Sequence, residues 1–145
     1  MKFWQVAMKP GMPTAFGLLK GKPFLGLPGN PVSSMVCFDL FARPALLKMG
    51  GHSHLFLPSV LAIMEDDFRK KPGRKHFLRV VLERRGGELY AKLTGGQGSG
   101  ILTSLTQAHG LAAIPEDTAQ IQVGDKVKVL LLDKAWQEVM EEEGL

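Results

Sequence analysis

The spacing of apolar residues changes at Gly50-Gly51, and this change constrains the fold more than any other feature of the chain. Over residues 32–48 the apolar residues recur every three or four positions, which is typical of a helix that is covered on most sides. After Gly51 apolar and polar residues alternate and turn-forming residues are frequent, which is typical of short strands. The sequence therefore predicts a mixed α/β segment followed by an all-β domain.

Residues 1–51 supply too little structure to cover this helix. We predict two short strands before it, over residues 3–8 and 24–27 (the second one buried), separated by the irregular stretch "KPGMPTAFG". Pro44 lies inside the helix and removes one backbone donor, so we expect a kink or break near residue 43. An apolar helix needs a sheet or further helices on several sides. The segment is therefore predicted to be part of a larger α/β domain, and either a partner chain supplies the rest or the chain is a fragment.

Residues 52–133 carry the pattern of a small β-barrel or sandwich. Strands are predicted for "SVLAIM", "LAAIP" and "KVKVLLL", and for both arms of a hairpin over residues 76–94. Gly86-Gly87 is expected to supply the positive φ angles of the two-residue hairpin turn. A short helix over residues 101–108 and a last helix in the acidic tail complete the prediction.

The stretch "LPGNP", residues 27–31, lies between the second strand and the helix, and its two prolines make it rigid. Pro28-Gly29 suits a sharp turn out of the strand. Asn30 followed by Pro31 is a strong helix-start signal, because the Asn side chain accepts hydrogen bonds from the first amides of a helix. Free amides at such a corner suit an anion such as phosphate. Structural strand–helix turns use the same residues, so the pattern alone leaves ligand binding and a purely structural role open.

Two further segments are candidates for anion binding. Lys9 in "KPGMP" stands at a strand end before a tight turn, where either contact with an anionic substrate or plain solvation would explain it. The glycine-rich stretch "GGQGSG", residues 95–100, looks like a phosphate-binding loop without being a Walker sequence. A plain turn between hairpin and helix is the alternative.

The composition excludes several classes of protein and site. The chain of 145 residues has no apolar run near the ~20 residues of a membrane span, and we recognise no signal peptide, so we expect a cytoplasmic protein. Cys37 is the only cysteine, which excludes an internal disulfide, and we expect it to be buried. The histidines are not spaced as metal ligands, and no Ser-His-Asp set is recognisable. The basic run "RKKPGRK", residues 69–75, indicates a solvated loop more than a nucleic-acid site.

Five segments, taken in order, resemble the C-terminal part of one enzyme family. They are "VAMKPGMPTAFG", "GLPGNPVSSMVCFDLFARPALLKMGG", "RKHFLRV", "GGQGSGILTSL" and "VGDKVKVLL". Together they are similar to the molybdopterin molybdenumtransferases, represented by MoeA in bacteria and by the E domain of gephyrin in animals. The likeness extends to about Leu132, and "LPGNPVSS" is its most specific element.

This resemblance implies both a fold and an activity. Residues 1–51 would be the C-terminal piece of an α/β/α molybdopterin-binding domain, residues 52–133 a small β-barrel domain, and residues 134–145 an acidic tail with a last helix. The family inserts molybdate into adenylylated molybdopterin with Mg²⁺, releasing AMP and the molybdenum cofactor. It works as a homodimer, with the site between the α/β/α domain of one subunit and the barrel of the other. This chain would carry only the C-terminal part of the enzyme, and we expect it to be inactive alone.

The resemblance also assigns residue roles by position. Lys9 would be the catalytic residue that contacts the anionic substrate or molybdate. The residues expected to bind substrate are Pro28, Gly29, Asn30 and Pro31 at the helix corner, and Arg79 and Ser99 in the barrel. The chemistry is consistent, because the substrates are anions and the candidates are cations, hydroxyls and backbone amides.

Two features depart from the family pattern. "KPG" is commonly followed by a second lysine, where this chain has Met12, and the carboxylates that hold Mg²⁺ in the family lie upstream of the matching part. Both motivate an alternative function, in which the chain is a non-catalytic module that binds a partner protein. The gephyrin relative acts as such a scaffold. The enzymatic function implies association with the missing upstream half or a homodimer, with no membrane partner, and nucleic acid is not the expected ligand.

Overall fold

The computed structural model describes residues 1–97, 102–132 and 134–142. In chain order the described strands are β1 Met8–Lys9, β2 Ala15–Leu19, β3 Lys22–Gly26, β4 Ser59–Met64, β5 Phe68–Arg69, β6 Lys75–Arg85, β7 Glu88–Leu93, β8 Gly110–Ile114, β9 Gln120–Ile121 and β10 Lys126–Leu131. The described helices are α1 Pro31–Cys37, α2 Arg43–Met49, α3 Leu102–Thr106 and α4 Lys134–Glu142, and a π-helical turn, Phe38–Ala42, joins α1 to α2.

Five of the strands close into a barrel. β6 pairs with β7, β7 with β4, β4 with β10, β10 with β8, and β8 pairs back with β6. The pairing of β4 with β7 is parallel and the other four are antiparallel. Val80, Ala91, Ala112 and Val129 from four of these strands are fully buried in the barrel core. The predicted fold class, a mixed α/β piece followed by a small β-barrel, is confirmed.

The strand β6 connects the barrel to the first part of the chain. Its first half pairs with β8 and its second half with β7, and at its start it also pairs in parallel with β1. This pairing sets Lys9 opposite His76. A shared apolar core reinforces it, because Val36 of α1 packs in one buried cluster with Phe77 and Leu111 of the barrel. The barrel thus fixes the positions of β1 and α1.

The region before the helix differs from its prediction. Residues 15–26 form a hairpin of β2 and β3, which turns at Lys20-Gly21 with positive φ at both residues. The strand predicted over residues 24–27 is present as the second half of β3, but it is not buried as predicted, because β3 belongs to a two-stranded sheet and Phe24 is 38% exposed. The strand predicted over residues 3–8 is wrong except at Met8, which begins β1, and Phe3 forms only an isolated bridge with Phe16.

The helix predicted over residues 32–48 is present, and its proline alters it at one place. The π-helical turn ends at Ala42, two residues before Pro44, and the Arg43 amide donates to the Phe38 carbonyl, five residues back. A wider turn leaves room at a position where proline has no N–H to donate. The expected kink or break near residue 43 therefore takes the form of a π-helical turn.

The tail forms the last described helix, as predicted. Met140 of α4 is almost fully buried and packs into the barrel core. The Gln137 side-chain amide donates to the Leu131 carbonyl at 2.9 Å, which fastens the helix to the end of β10. None of the described helices is long and apolar enough to cross a membrane.

The hairpin of β6 and β7 turns at Gly86-Gly87, also as predicted, with one difference. Only Gly86 has a positive φ, of 61°. A positive φ at the first turn residue alone is the pattern of a type II′ turn, in which the second residue is not required to be glycine.

Candidate functional site

The two proline-rich motifs of the first segment meet in one cleft. The cleft has a volume of about 290 Å³ and lies between the "KPGMP" turn after β1 and the "LPGNP" corner before α1. Its walls include Lys9, Pro28, Gly29 and Asn30, together with Arg74 from the segment that leads into β6. Four of the predicted site residues therefore lie together, and a residue that the sequence did not single out joins them.

The turn after Lys9 is held by a buried polar contact. The fully buried hydroxyl of Thr14 donates to the Gly11 carbonyl at 2.6 Å and lies 3.1 Å from the Cys37 sulfur of α1. Gly11 has a φ of 108°, a conformation that favours glycine. Burial raises the pKa of the Cys37 thiol, and the predicted buried role of this cysteine is confirmed. The turn is thus fastened to α1.

The "LPGNP" corner is a turn into the helix, with one difference from the prediction. Pro28 is buried, and Asn30 has the extended backbone (φ −69°, ψ 128°) of a residue that precedes a helix. The Asn30 carbonyl accepts the Ser34 amide at 2.8 Å, but the side chain makes no capping hydrogen bond. The capping role predicted for the Asn30 side chain is therefore wrong. Pro31 begins α1 and is exposed, while Ser33 contributes to the cleft wall.

Three cations lie around His76, beside the cleft. Lys9 is opposite His76 in the β1–β6 pair, while Lys70 and Arg74 belong to the segment between β5 and β6. Partial burial and the charges of these three cations lower the pKa of His76 to about 4. The ring is therefore neutral at pH 7. The lysine and arginine side chains give this region a positive potential, which suits an anionic ligand.

Arg74 is the cleft residue that sequence analysis missed. It lies in the basic run of residues 69–75, which has the composition of a solvated loop. It is the first residue of the segment "RKHFLRV", which contributes to the resemblance, but no role was predicted for it. The parallel pairing of β1 with β6 brings Arg74 to the cleft. This pairing covers only two residues of each strand and leaves no recognisable sequence pattern.

Comparison with known proteins agrees with these features. Residues 1–48 match a family model described as a probable molybdopterin binding domain, and residues 62–132 match one described as the MoeA C-terminal region (domain IV). The chain belongs to the MoeA family. The resemblance found in its sequence motifs is confirmed.

Relatives of this MoeA-family chain are named for molybdopterin or molybdenum cofactor synthesis. Molybdopterin molybdenumtransferase 2 of Mycobacterium tuberculosis is 35% identical over 129 residues, which cover 89% of this chain and 31% of the relative. The molybdenum cofactor synthesis protein cinnamon of Drosophila melanogaster is 40% identical over 117 residues, which cover 79% of this chain and 19% of the relative. A crystal structure of a molybdopterin biosynthesis MoeA protein from Pyrococcus horikoshii has a TM-score of 0.73 at 35% identity, covering 90% of this chain and 31% of that one. The chain spans 31% or less of the length of each.

Two barrel residues were predicted to bind substrate. Arg79 does not line the cleft, and Ser99 lies outside the described residues. Arg79 of this MoeA-family chain is 1% exposed, and its guanidinium donates to the Ser104 hydroxyl at 3.2 Å and to the Phe77 carbonyl at 3.1 Å. Burial lowers the pKa of Arg79. Its backbone amide donates to the Gln97 side-chain oxygen at 2.8 Å, which holds the start of the "GGQGSG" segment. Ser99 falls outside the described residues, and both roles stay predictions.

The described residues of this MoeA-family chain do not fit a Mg²⁺ ion. Mg²⁺ takes oxygen ligands, usually including carboxylates. Among the described residues no Asp or Glu lines the cleft. Within residues 1–97, 102–132 and 134–142, no group of three or more His, Cys, Asp or Glu residues is placed to hold a metal. The cleft has the charge of an anion site and not of a cation site.

A larger apolar groove, of about 950 Å³, lies between the β2–β3 hairpin, α2 and the loop before β4. Phe24, Leu40 and Phe41 form part of its wall, together with Leu46 and Phe56. Leu46 is 57% exposed and Phe56 77% exposed. An exposed apolar surface of this size is typical of one that further polypeptide covers. The groove agrees with the sequence-based inference that the helix needs more cover than this segment supplies.

Proposed function

We propose that this chain carries the C-terminal part of a molybdopterin molybdenumtransferase, which inserts molybdate into adenylylated molybdopterin and releases AMP and the molybdenum cofactor. The observation that carries the proposal is the cleft between the two proline-rich turns. Its walls include Lys9, Arg74 and the "LPGNP" corner. Phosphate groups and molybdate are anions, so a cleft with cations and no described carboxylate suits them. Membership of the MoeA family supports the same chemistry.

In this function each cleft residue has a distinct task. The Lys9 ammonium is the catalytic contact, because it neutralises charge on a phosphate group or on molybdate. Pro28 and Pro31 fix the corner beside the molybdopterin part of the substrate, where Gly29 leaves room for close approach and Asn30 orients the ligand. Arg79 and Ser99 would act from the barrel. The contact between Gln97 and the Arg79 backbone supports a fixed start for the segment that carries Ser99.

We further propose a division into three parts. Residues 1–51 complete an α/β/α molybdopterin-binding domain, residues 52–133 form the barrel domain, and residues 134–145 form the tail. The apolar groove supports this division, because the upstream half of such a domain would cover it. Two complete copies would then form the homodimer, in the cytoplasm. Mg²⁺ and its carboxylate ligands would come with the upstream half, since the described residues do not fit this ion.

The test is molybdate-dependent cofactor formation from adenylylated molybdopterin with Mg²⁺. It is run with this chain alone and after addition of the upstream half of a family member. Activity in the mixture only is the expected result. In the mixture, Lys9→Met should lower activity by roughly tenfold or more, because a charged contact to the substrate is lost. Lys92→Met, an exposed change on β7, is the matched control and should leave activity unchanged. An inactive mixture in which the two halves bind each other would refute the proposal.

The apolar groove favours a second candidate function, a non-catalytic module that binds a partner protein there. The mixture of this chain with the upstream half of a family member distinguishes the module from the enzyme. Association without cofactor formation, together with capture of a partner that Phe56→Asp abolishes, supports the module. Cofactor formation in the mixture, with no partner recovered, supports the enzyme.

A further inference from the structure

We propose that Met12 is an oxidation site, whose sulfoxide binds the Arg74 guanidinium and lowers the activity of the cleft. The oxidant is hydrogen peroxide, and the effect on activity rests on the proposed function. The Met12 sulfur attacks one peroxide oxygen, so that an S–O bond forms as the O–O bond breaks. The sulfur loses two electrons, and the peroxide is reduced to one water molecule, which keeps both of its protons.

Met12 is open to solvent at the wall of the cleft, where its side chain is 38% exposed. Three other described methionines are at most 3% exposed: Met8, Met64 and Met140. A peroxide in solution reaches buried side chains only when the fold opens locally. Oxidation is therefore selective for the exposed methionines, of which Met12 is the one in the cleft wall.

The sulfur of Met12 contacts an arginine. Arg74 Nη1 lies 3.8 Å from it, and a thioether sulfur is only a weak acceptor. A second contact of this kind, at 3.5 Å, joins Arg84 Nη2 to the sulfur of Met140, which is buried in the barrel core. Among the described residues, Met12 is thus the methionine that combines an arginine neighbour with access to solvent.

Oxidation changes the character of the contact with Arg74. A sulfoxide is polar, and its oxygen is a strong hydrogen-bond acceptor where the thioether is a weak one. The sulfur–nitrogen distance of 3.8 Å exceeds an N–H···O distance of about 2.9 Å, so an oxygen on the side that faces Arg74 lies within reach of the guanidinium. No carboxylate in residues 1–97, 102–132 and 134–142 forms an ion pair with Arg74 that would compete for these donors.

The backbone is fixed on both sides of the contact. The Met12 carbonyl accepts the Val6 amide at 2.8 Å and the Thr14 amide at 2.9 Å. The Arg74 carbonyl accepts the Lys70 ammonium at 2.9 Å. The new hydrogen bond therefore joins the turn after β1 to the segment before β6, and it directs the Arg74 donors away from a ligand in the cleft. Because reductases return the sulfoxide to the thioether, the change is reversible.

The first experiment treats the whole chain with dilute hydrogen peroxide and follows each methionine by peptide mass spectrometry. Met12 should be oxidised faster than the buried Met8 by about tenfold or more. Urea unfolding is then compared before and after treatment in the wild type and in Arg74→Gln. Treatment should favour the folded wild type over folded Arg74→Gln by about fivefold in the unfolding equilibrium constant, the size of one net hydrogen bond. Arg69→Gln, at an exposed arginine of the same basic run, is the matched control and should respond like the wild type.

Further variants separate Met12 from the other exposed methionines, each made with and without Arg74→Gln. Met12→Leu cannot be oxidised at this position, so treatment should not produce the Arg74-dependent difference. Met35→Leu, at a side chain that is 48% exposed in the wild type, should still show it. Met12→Gln brings an amide oxygen to the same place without oxidant and should show the same coupling to Arg74→Gln. Absence of the coupling in both the treated wild type and Met12→Gln would overturn the inference.

Activity is measured in the mixture of this chain with the upstream half of a family member. Only this chain is treated, and the peroxide is removed before mixing. Treatment should lower cofactor formation by about threefold or more, because the Arg74 donors are occupied, and methionine sulfoxide reductase should restore it. Cofactor formation that is unchanged after full oxidation of Met12 refutes the effect on activity and leaves the enzyme standing. A mixture that forms no cofactor counts against the proposed function, while the unfolding comparison still decides whether the sulfoxide binds Arg74.

Discussion

The neutral state of His76 predicts a specific loss of stability in acid. In the folded chain the pKa of this ring is about 4, against an ordinary value of 6.5, so protonation favours the unfolded state. The stabilising effect is complete above pH 6.5 and is lost as the pH falls toward 4. At about 1.4 kcal/mol per pH unit, the ceiling is roughly 3 kcal/mol. Because the ring is only partly buried, solvent screening reduces this, and we expect about 1 kcal/mol.

The assay is urea unfolding of the wild type and of His76→Gln at pH 7, 6, 5 and 4. Other groups also titrate in this range, so the quantity of interest is the difference between the two proteins. The wild type should lose about 1 kcal/mol more than His76→Gln between pH 7 and pH 4. Arg74→Gln removes one of the three cations that lower the pKa of His76. The stability lost between pH 7 and pH 4 should therefore be smaller in Arg74→Gln than in the wild type. Equal pH dependence in the wild type and His76→Gln would show that the ring titrates normally and would refute the reasoning.

Three stability changes follow from single contacts, each measured by urea or thermal unfolding. Thr14→Val leaves the buried Gly11 carbonyl without its 2.6 Å donor and should cost about 1–3 kcal/mol, while Thr14→Ser keeps the hydroxyl and should cost less. Met140→Ala removes a side chain from the barrel core and should cost about 2–3 kcal/mol. An unchanged midpoint would mean that α4 does not stabilise the barrel. Gly86→Ala should destabilise by about 1 kcal/mol because φ is 61° there, whereas Gly87→Ala should cost less. The reverse order would contradict the type II′ assignment.

The barrel was predictable because its strands carry their own signals. "SVLAIM" is an apolar run of strand length, "KVKVLLL" alternates over its first four residues, and β4 and β10 match them closely. The closure of the five strands was not predictable, since it depends on β6 pairing with β8 and β7 along its two halves. A sequence pattern records which face of a strand is buried but not which strand lies beside it.

β2 and its pairing with β3 in a hairpin escaped prediction for a related reason. Its turn is Lys20-Gly21, and a lysine with a φ of 50° is a weaker signal than the usual Asn-Gly or Asp-Gly. The strands themselves are half exposed and β3 contains Pro23, so the alternation of polar and apolar residues is faint. The stretch "KPGMPTAFG" was predicted to be irregular, which is correct for residues 10–14 and wrong for residues 15–17, which lie in β2.

The candidate site was predicted in its parts and not in its assembly. "KPGMP" and "LPGNP" each suggested an anion, but they are separated by a hairpin, and no spacing rule brings them together. The contact of Thr14 with both Gly11 and Cys37 does so in the structure. Arg74 was missed because a basic run near a turn is most often solvated, and its place in the cleft wall depends on the tertiary position of β1.

The proposed anion binding and the proposed turnover should be separable in this chain, because they would depend on different amounts of polypeptide. The cleft is held by the core that α1 shares with the barrel, where Val36, Cys37 and Leu111 are fully buried. Every described part of the cleft wall therefore has its support within this chain. The groove beside α2 lacks such support, since Leu46 and Phe56 are largely exposed, and the described residues do not fit Mg²⁺. We therefore expect this chain alone to bind an oxyanion at Lys9 and Arg74 without forming cofactor.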